Sequence, residues 1–197
     1  KCLRGICSTK CDNNDVNLMD DSANCGQCGK VRAFSSGEIC VNGVCTSGSV
    51  GGKLTFGNYN DSPILWTIVD YDITNHKVML FADESLLKKN EYSNYVTDSH
   101  AYNVNKRYIT WETSTIRSWL NGYDASYNTD GRDYTSDNFI DAAFTATEKA
   151  RIVVSNVPAH ANPKYSTNPG NATTDKVFLL SITEVMNLLS TGSIMCT

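Results

Sequence analysis

The chain has 197 residues, 17 Lys and Arg against 21 Asp and Glu, and a formal net charge of −4. With no basic stripe it is not built to hold nucleic acid, and no apolar run approaches a membrane span. Its eight cysteines are distributed unevenly: seven lie between Cys2 and Cys45, and the last is Cys196. Residues 1–46 are rich in Asp, Asn, Ser and Gly and poor in large apolar side chains, so they need covalent or metal staples to fold. The hexapeptide Cys2-Leu-Arg-Gly-Ile-Cys7 recurs as Cys40-Val-Asn-Gly-Val-Cys45, with Cys11, Cys25 and Cys28 between the copies. Zinc could be held by Cys25-x2-Cys28 with Cys40-x4-Cys45, but that leaves Cys2, Cys7 and Cys11 of the head over and ignores the repeat. Disulfides are therefore expected for Cys2, Cys7, Cys11, Cys25, Cys28, Cys40, Cys45 and Cys196, with connectivity open. They place the protein outside the cell or on its surface. The chain starts one residue before a cysteine, as a mature or excised piece would.

Residues 47–52 form a Gly/Ser linker, and 53–197 are long enough for a hydrophobic core. Strands are predicted at 53–59 and 64–71, with a hairpin loop over 72–77 returning through 78–82. Residues 88–110 are polar and without helical period, the mark of a long functional or mobile loop. A short helix is predicted from Thr113 or Ser114 as cap to Gly122 as stop, with Ile116, Trp119 and Leu120 on one face. Phe139, Ile140, Ala143 and Phe144 make a second helical face. Thr145-x-x-Glu148 and Ser181-x-x-Glu184 are capping boxes opening two more helices. Val177-Phe-Leu-Leu180 reads as a buried strand running into the last helix. Strands followed by helices predict an α+β fold.

Trp66, Trp111-x-x-Ser114-x-x-x-x-Trp119-Leu-Asn121, Ala143-Phe-x-x-x-Glu148-Lys and Asp175-Lys-Val-Phe-Leu-Leu-Ser-x-x-Glu184 together resemble an uncharacterised bacterial extracellular domain family. Members of that family look like C-type-lectin-like folds, distantly similar to the formylglycine-generating-enzyme type. The resemblance implies a lectin-like domain over 53–197. Members of the family continue into a Trp- and Gly-rich half, so the domain is expected to be incomplete at its C-terminal side. The head resembles the cysteine-rich module of stigma-specific-type proteins through Asn24-Cys-Gly-Gln-Cys-Gly29 and the two Cys-x-x-Gly-x-Cys copies. Where such modules carry a further cysteine, this chain has Val31-Arg-Ala-Phe34.

Catalytic patterns are missing from the sequence: no Gly-x-Ser-x-Gly elbow, no phosphate-cradling glycine loop, and His76, His100 and His160 at no ligand spacing. The segment 121–141 offers more. Asn128, Asp130, Asp133 and Asp137 present oxygens at short intervals around Gly131, a composition that suits calcium or a solvated series of Asx turns. Seven of the ten tyrosines fall between Tyr92 and Tyr134, interleaved with Asn, Ser, Asp and Gly. Such a mix makes a contact surface or packs beneath loops. Tyr123, Tyr127, Asn128 and Tyr134 are the candidate ligand contacts. The expectation is a non-enzymatic secreted or cell-surface adhesion protein, presenting a glycan- or protein-binding domain on a cysteine-rich spacer. The alternative is a structural subunit that assembles with copies of itself in an extracellular fibre.

Overall fold

The computed structural model describes residues 49–72, 75, 77–84 and 109–193 in full, and the backbone of 2–3, 6–11, 14–17, 38–41 and 44–47. The expected long loop at 88–110, His76, His100, Cys196 and the cysteine side chains of the head fall outside what is described, apart from residues 109 and 110. The fold mixes helices with small antiparallel sheets, as expected for α+β. The chain divides into two compact units, one of Lys1–Thr55, Leu65–Asp83 and Gly192–Thr197, the other of Phe56–Ile64 and Glu84–Thr191.

In the first unit, β1 (Cys2–Leu3), β2 (Ile6–Cys11) and β3 (Asn14–Asn17) form one sheet, and β4 (Glu38–Val41) pairs with β5 (Val44–Ser47). A further three-stranded sheet has the order β6 (Lys53–Tyr59), β7 (Ser62–Asp72) and β8 (Lys77–Ala82). β7 and β8 are antiparallel, and their register shifts between Ile68 and Asp70. An irregularity there breaks the period-two alternation, so that Ile68 and Val69 are buried in succession. Asp72 closes the following loop, accepting from both Asn75 N (3.0 Å) and Asn75 Nδ2 (2.7 Å). Asp83 anchors the strand ends by accepting from Lys53 Nζ and Thr67 Oγ1.

The second unit holds α1 (Thr115–Asn121), α2 (Phe139–Ala143), α3 (Ala146–Arg151) and α4 (Ile182–Ser190), with β9 (Ser155–Val157) antiparallel to β10 (Thr173–Asp175). Each helix starts where a side chain takes an orphan N–H: Ser114 Oγ accepts from Arg117 N, Asn138 from Asp141 N, Thr145 from Glu148 N and Ser181 from Glu184 N. Both predicted capping boxes are present in full. α1 ends at Gly122 in the left-handed conformation, φ 72°.

The core of this unit is an aromatic cluster. Phe139 lies 5.2 Å from Tyr59, 5.5 Å from Trp119 and 5.8 Å from Phe144 between ring centroids, and Phe56 lies 5.2 Å from Phe144. Ile64, Leu120, Ile140, Ala143 and Val157 are buried alongside. α3 stops at Arg151. α4 buries no residue, leaving Ile182 and Met186 exposed.

The predicted strand Val177–Leu180 is not formed; the strand is β10, two residues earlier, and Leu179 is exposed. The reason is a side chain standing in for a strand. Asn121 Nδ2 donates to Val177 O (2.8 Å) while Asn121 Oδ1 accepts from Val177 N and Lys176 N (both 3.0 Å). The backbone groups of Val177 are thereby satisfied without a sheet partner.

Candidate functional site

The centre of the second unit is a carboxylate. Asp175 ends β10 and is fully buried, and a buried charge is tolerated only when paired and fully hydrogen-bonded. Its four partners come from two stretches of the chain, 111–123 around α1 and β10 itself. Arg117, in the middle of α1, donates through Nε to Oδ1 (2.9 Å) and Oδ2 (3.0 Å). Trp111 Nε1 donates to Oδ2 (2.9 Å), Thr173 Oγ1 to Oδ2 (2.6 Å) and Tyr123 OH to Oδ1 (3.0 Å). Burial alone would raise this carboxyl's pKa; the bonds from Arg117, Thr173 and Trp111 outweigh it and hold the value below the ordinary range. Tyr123 moves the other way, its phenol pushed up to about 12 by burial, by the bond to Asp175 and by that residue's negative charge.

Arg117 is held on its other side as well, with Nη1 donating to Glu112 O at 2.9 Å. Its guanidinium lies 5.0 Å from the Tyr123 ring centroid and 5.8 Å from that of Tyr127, within cation–π range. The two rings stack at 4.7 Å with 30° between planes. Tyr127 ends a 3-10 turn, Ala125–Tyr127, capped by Asp124, whose carboxylate accepts from Ser126 N. The result is a layered arrangement: a buried ion pair below, Tyr123 half-buried above it, and Tyr127 48% exposed at the surface.

Tyr127 borders an open cleft of about 510 Å³, whose lining includes Glu112, Arg117, Asn128, Thr129, Asn156 and Thr173. Glu112 is fixed by Asn171, which donates from its side chain and its backbone N–H; these bonds lower the carboxyl's pKa. The lining residues carry hydroxyl, amide and charged groups, but about half of the lining surface is apolar, including one exposed aromatic face.

The structure separates the residues singled out in the sequence. Tyr123 and Tyr127 come together with Arg117, but Tyr123 belongs largely to the interior. Asn128 is buried and turned to its own loop: Nδ2 donates to Arg132 O (2.8 Å) and Ser118 Oγ (3.3 Å), and Oδ1 accepts from Arg132 N (3.0 Å). Tyr134 joins through its backbone, its N–H donating to Tyr123 O and its carbonyl accepting from Asn138 Nδ2 (both 3.0 Å), and it is not among the residues lining the cleft.

The oxygens considered for a cation are spent locally. Asp130 pairs with Arg132 and Asp133 caps Thr135, while Asp137 is exposed. Among the described residues no three His, Cys, Asp or Glu side chains are grouped to hold a metal ion. His160 is exposed in an irregular segment. The sequence reading missed Arg117, Asp175 and Glu112. An arginine between Ile116 and Trp119, and a lone acid leading into Val177–Leu180, are the signals that could have found Arg117 and Asp175; Glu112 has none.

No helix among the described residues is long and apolar enough to cross a membrane. Compared with known proteins, residues 75–195 match the model of a family described as Domain of unknown function (DUF6273). No curated protein and no solved structure matches the chain.

Proposed function

The chain belongs to the DUF6273 family, and we propose that it is a non-enzymatic extracellular or cell-surface binding protein. Its ligand site is the cleft beside Tyr127, carried on a C-type-lectin-like domain over 53–197, and the cysteine-rich head is the spacer. The observation that carries this reading is the exposed Tyr127 ring, stacked on Tyr123 and backed by Arg117 at the lip of the cleft. A rigid aromatic face beside fixed donors and acceptors suits a hydroxylated ligand such as a glycan: the ring covers its C–H face while amide, hydroxyl and carboxylate groups take its hydroxyls. Binding is favoured over turnover because the ionisable groups at the site are locked away from neutral pH. Asp175 and Glu112 are held ionised and Tyr123 is held protonated, whereas a general acid or base works best with a pKa near the working pH.

The test is binding of the full chain to a panel of immobilised neutral and acidic oligosaccharides, with Tyr127→Ala alongside. The expected result is selective binding that Tyr127→Ala abolishes while the variant stays folded, its thermal melt lowered by no more than a few degrees. Binding that survives Tyr127→Ala would move the site away from this cleft, and consumption of a captured glycan would replace binding with catalysis.

A further inference from the structure

The strands of the two hexapeptide copies pair in the same register. Between β1 and β2 the register sets Cys2 opposite Cys7 and Leu3 opposite Ile6. Between β4 and β5 it sets Cys40 opposite Cys45 and Val41 opposite Val44. Two residues separate the innermost partners in each copy, Arg4-Gly5 in one and Asn42-Gly43 in the other. That is the commonest length for an antiparallel connection, and its turn types favour glycine. Cys11, by contrast, stands opposite Asn14.

From this register we propose that Cys2–Cys7 and Cys40–Cys45 are disulfides, each closed within its own copy of the repeat. Directly opposite residues of an antiparallel pair have Cα atoms roughly 4.5–5.5 Å apart. A disulfide joins Cα atoms roughly 4.4–6.8 Å apart, so neither backbone has to move. Sequence distance selects the same partners, because only four residues intervene and closing so short a loop carries little entropy. In each closure two thiols lose two protons and two electrons to form one S–S bond. The acceptor is the disulfide of a thiol–disulfide oxidoreductase, which passes through a mixed disulfide and ends as two thiols.

The assignment has consequences for the rest of the head. Each copy is stapled to itself and not to the other, so the repeat unit is a covalently independent hairpin. Cys40 and Cys45 are consumed as disulfide sulfurs and cannot act as thiolate ligands to zinc. Cys11, Cys25, Cys28 and Cys196 are then the cysteines whose partners lie elsewhere.

The sequence allows a direct test. The full chain, exported through an oxidising compartment, is unfolded in excess alkylating reagent without reductant and digested with trypsin. Cleavage after Lys1, Arg4, Lys10, Lys30, Arg32 and Lys53 puts Cys2 on peptide 2–4 and Cys7 on 5–10. Cys11, Cys25 and Cys28 share 11–30, while Cys40 and Cys45 share 33–53. The expected map has 2–4 joined to 5–10, and 33–53 unalkylated and lighter by two hydrogens than after reduction. A bond from any of these peptides to 11–30, a bond between 2–4 and 33–53, or alkylation of all four thiols overturns the proposal. In Cys7→Ser, Cys2 should become alkylated while 33–53 stays unchanged; a newly alkylated Cys40 or Cys45 would show that the copies are cross-linked instead.

Discussion

Arg117 and Asp175 are fifty-eight residues apart and share one bifurcated ion pair, Arg117 Nε donating to both carboxylate oxygens at 2.9 and 3.0 Å. It links the central helix of the second unit to its short β9–β10 ladder, and both side chains are almost wholly shielded from water. A buried pair of this kind contributes little net stability when intact, yet removing one partner leaves an uncompensated charge. Asp175→Asn should therefore destabilise the protein by about 3–5 kcal/mol, read from urea denaturation followed by tryptophan fluorescence. Adding Arg117→Met should recover part of the loss, since the stranded cation is gone. Strict additivity of the two changes would mean that the pair is not coupled.

The same hub gives stability a dependence on pH at both extremes. Asp175 has a folded pKa below its ordinary 3.8, so the unfolded chain binds the proton more readily. Its contribution is present above that value and is lost as acid is added and the pH falls through the folded pKa. Tyr123 has the opposite sign: its phenol titrates at about 12 instead of 10.0. Its contribution is complete below 10.0 and disappears as the pH rises towards 12. Ultraviolet titration of the phenols should show one late tyrosine, and Tyr123→Phe should remove it.

The two stacked tyrosines should respond differently to truncation. Tyr123→Phe keeps the ring and removes only the hydroxyl, which donates to the buried Asp175 carboxylate and more weakly to Thr174 O, a loss of roughly 1.5–3 kcal/mol. Tyr127→Ala removes a whole side chain from a half-exposed position and should cost about 1 kcal/mol or less, most of it the stack on Tyr123. Chemical denaturation of the two variants decides the order. A larger loss for Tyr127→Ala would make that ring a structural element and weaken its reading as a ligand platform.

What was legible in the sequence is what is local. Ser114, Gly122, Thr145-x-x-Glu148 and Ser181-x-x-Glu184 each act on a backbone group within a few residues, so their spacing alone carries the signal. Phe139, Ile140, Ala143 and Phe144 were readable as one buried face for the same reason. The site was not local. Asp175 collects donors from Trp111, Arg117, Tyr123 and Thr173, a convergence that only the tertiary fold creates. Asn121 deceived the reading of Val177–Leu180 because nothing in an apolar run says that an amide side chain will replace its strand partner. The oxygen-rich stretch from Asn128 to Asp137 looked like ligand spacing, but Asp130, Asp133 and Asn128 each find a nearer partner within four residues.

Gly57 offers a sharper test of the aromatic core than any of its rings. It lies in β6 with φ +77°, and a Cβ placed there would come within 2.5 Å of Phe144 Cε1 and 2.8 Å of Ala143 O. Its N–H also donates to Glu148 Oε1 at 3.2 Å, tying the strand to the first turn of α3. Gly131 is the control: φ +66° and nothing within 4 Å of its notional Cβ. Gly131→Ala should register only the left-handed backbone cost of roughly 1–2 kcal/mol. Gly57→Ala should add overpacking of roughly 1–3 kcal/mol, and Phe144→Leu in that background should relieve the ring contact while leaving the carbonyl contact in place. Matching urea midpoints for the two alanine variants would show that the ring of Phe144 does not rest against Gly57, and that close approach is not what fixes the β6 strand in the aromatic cluster.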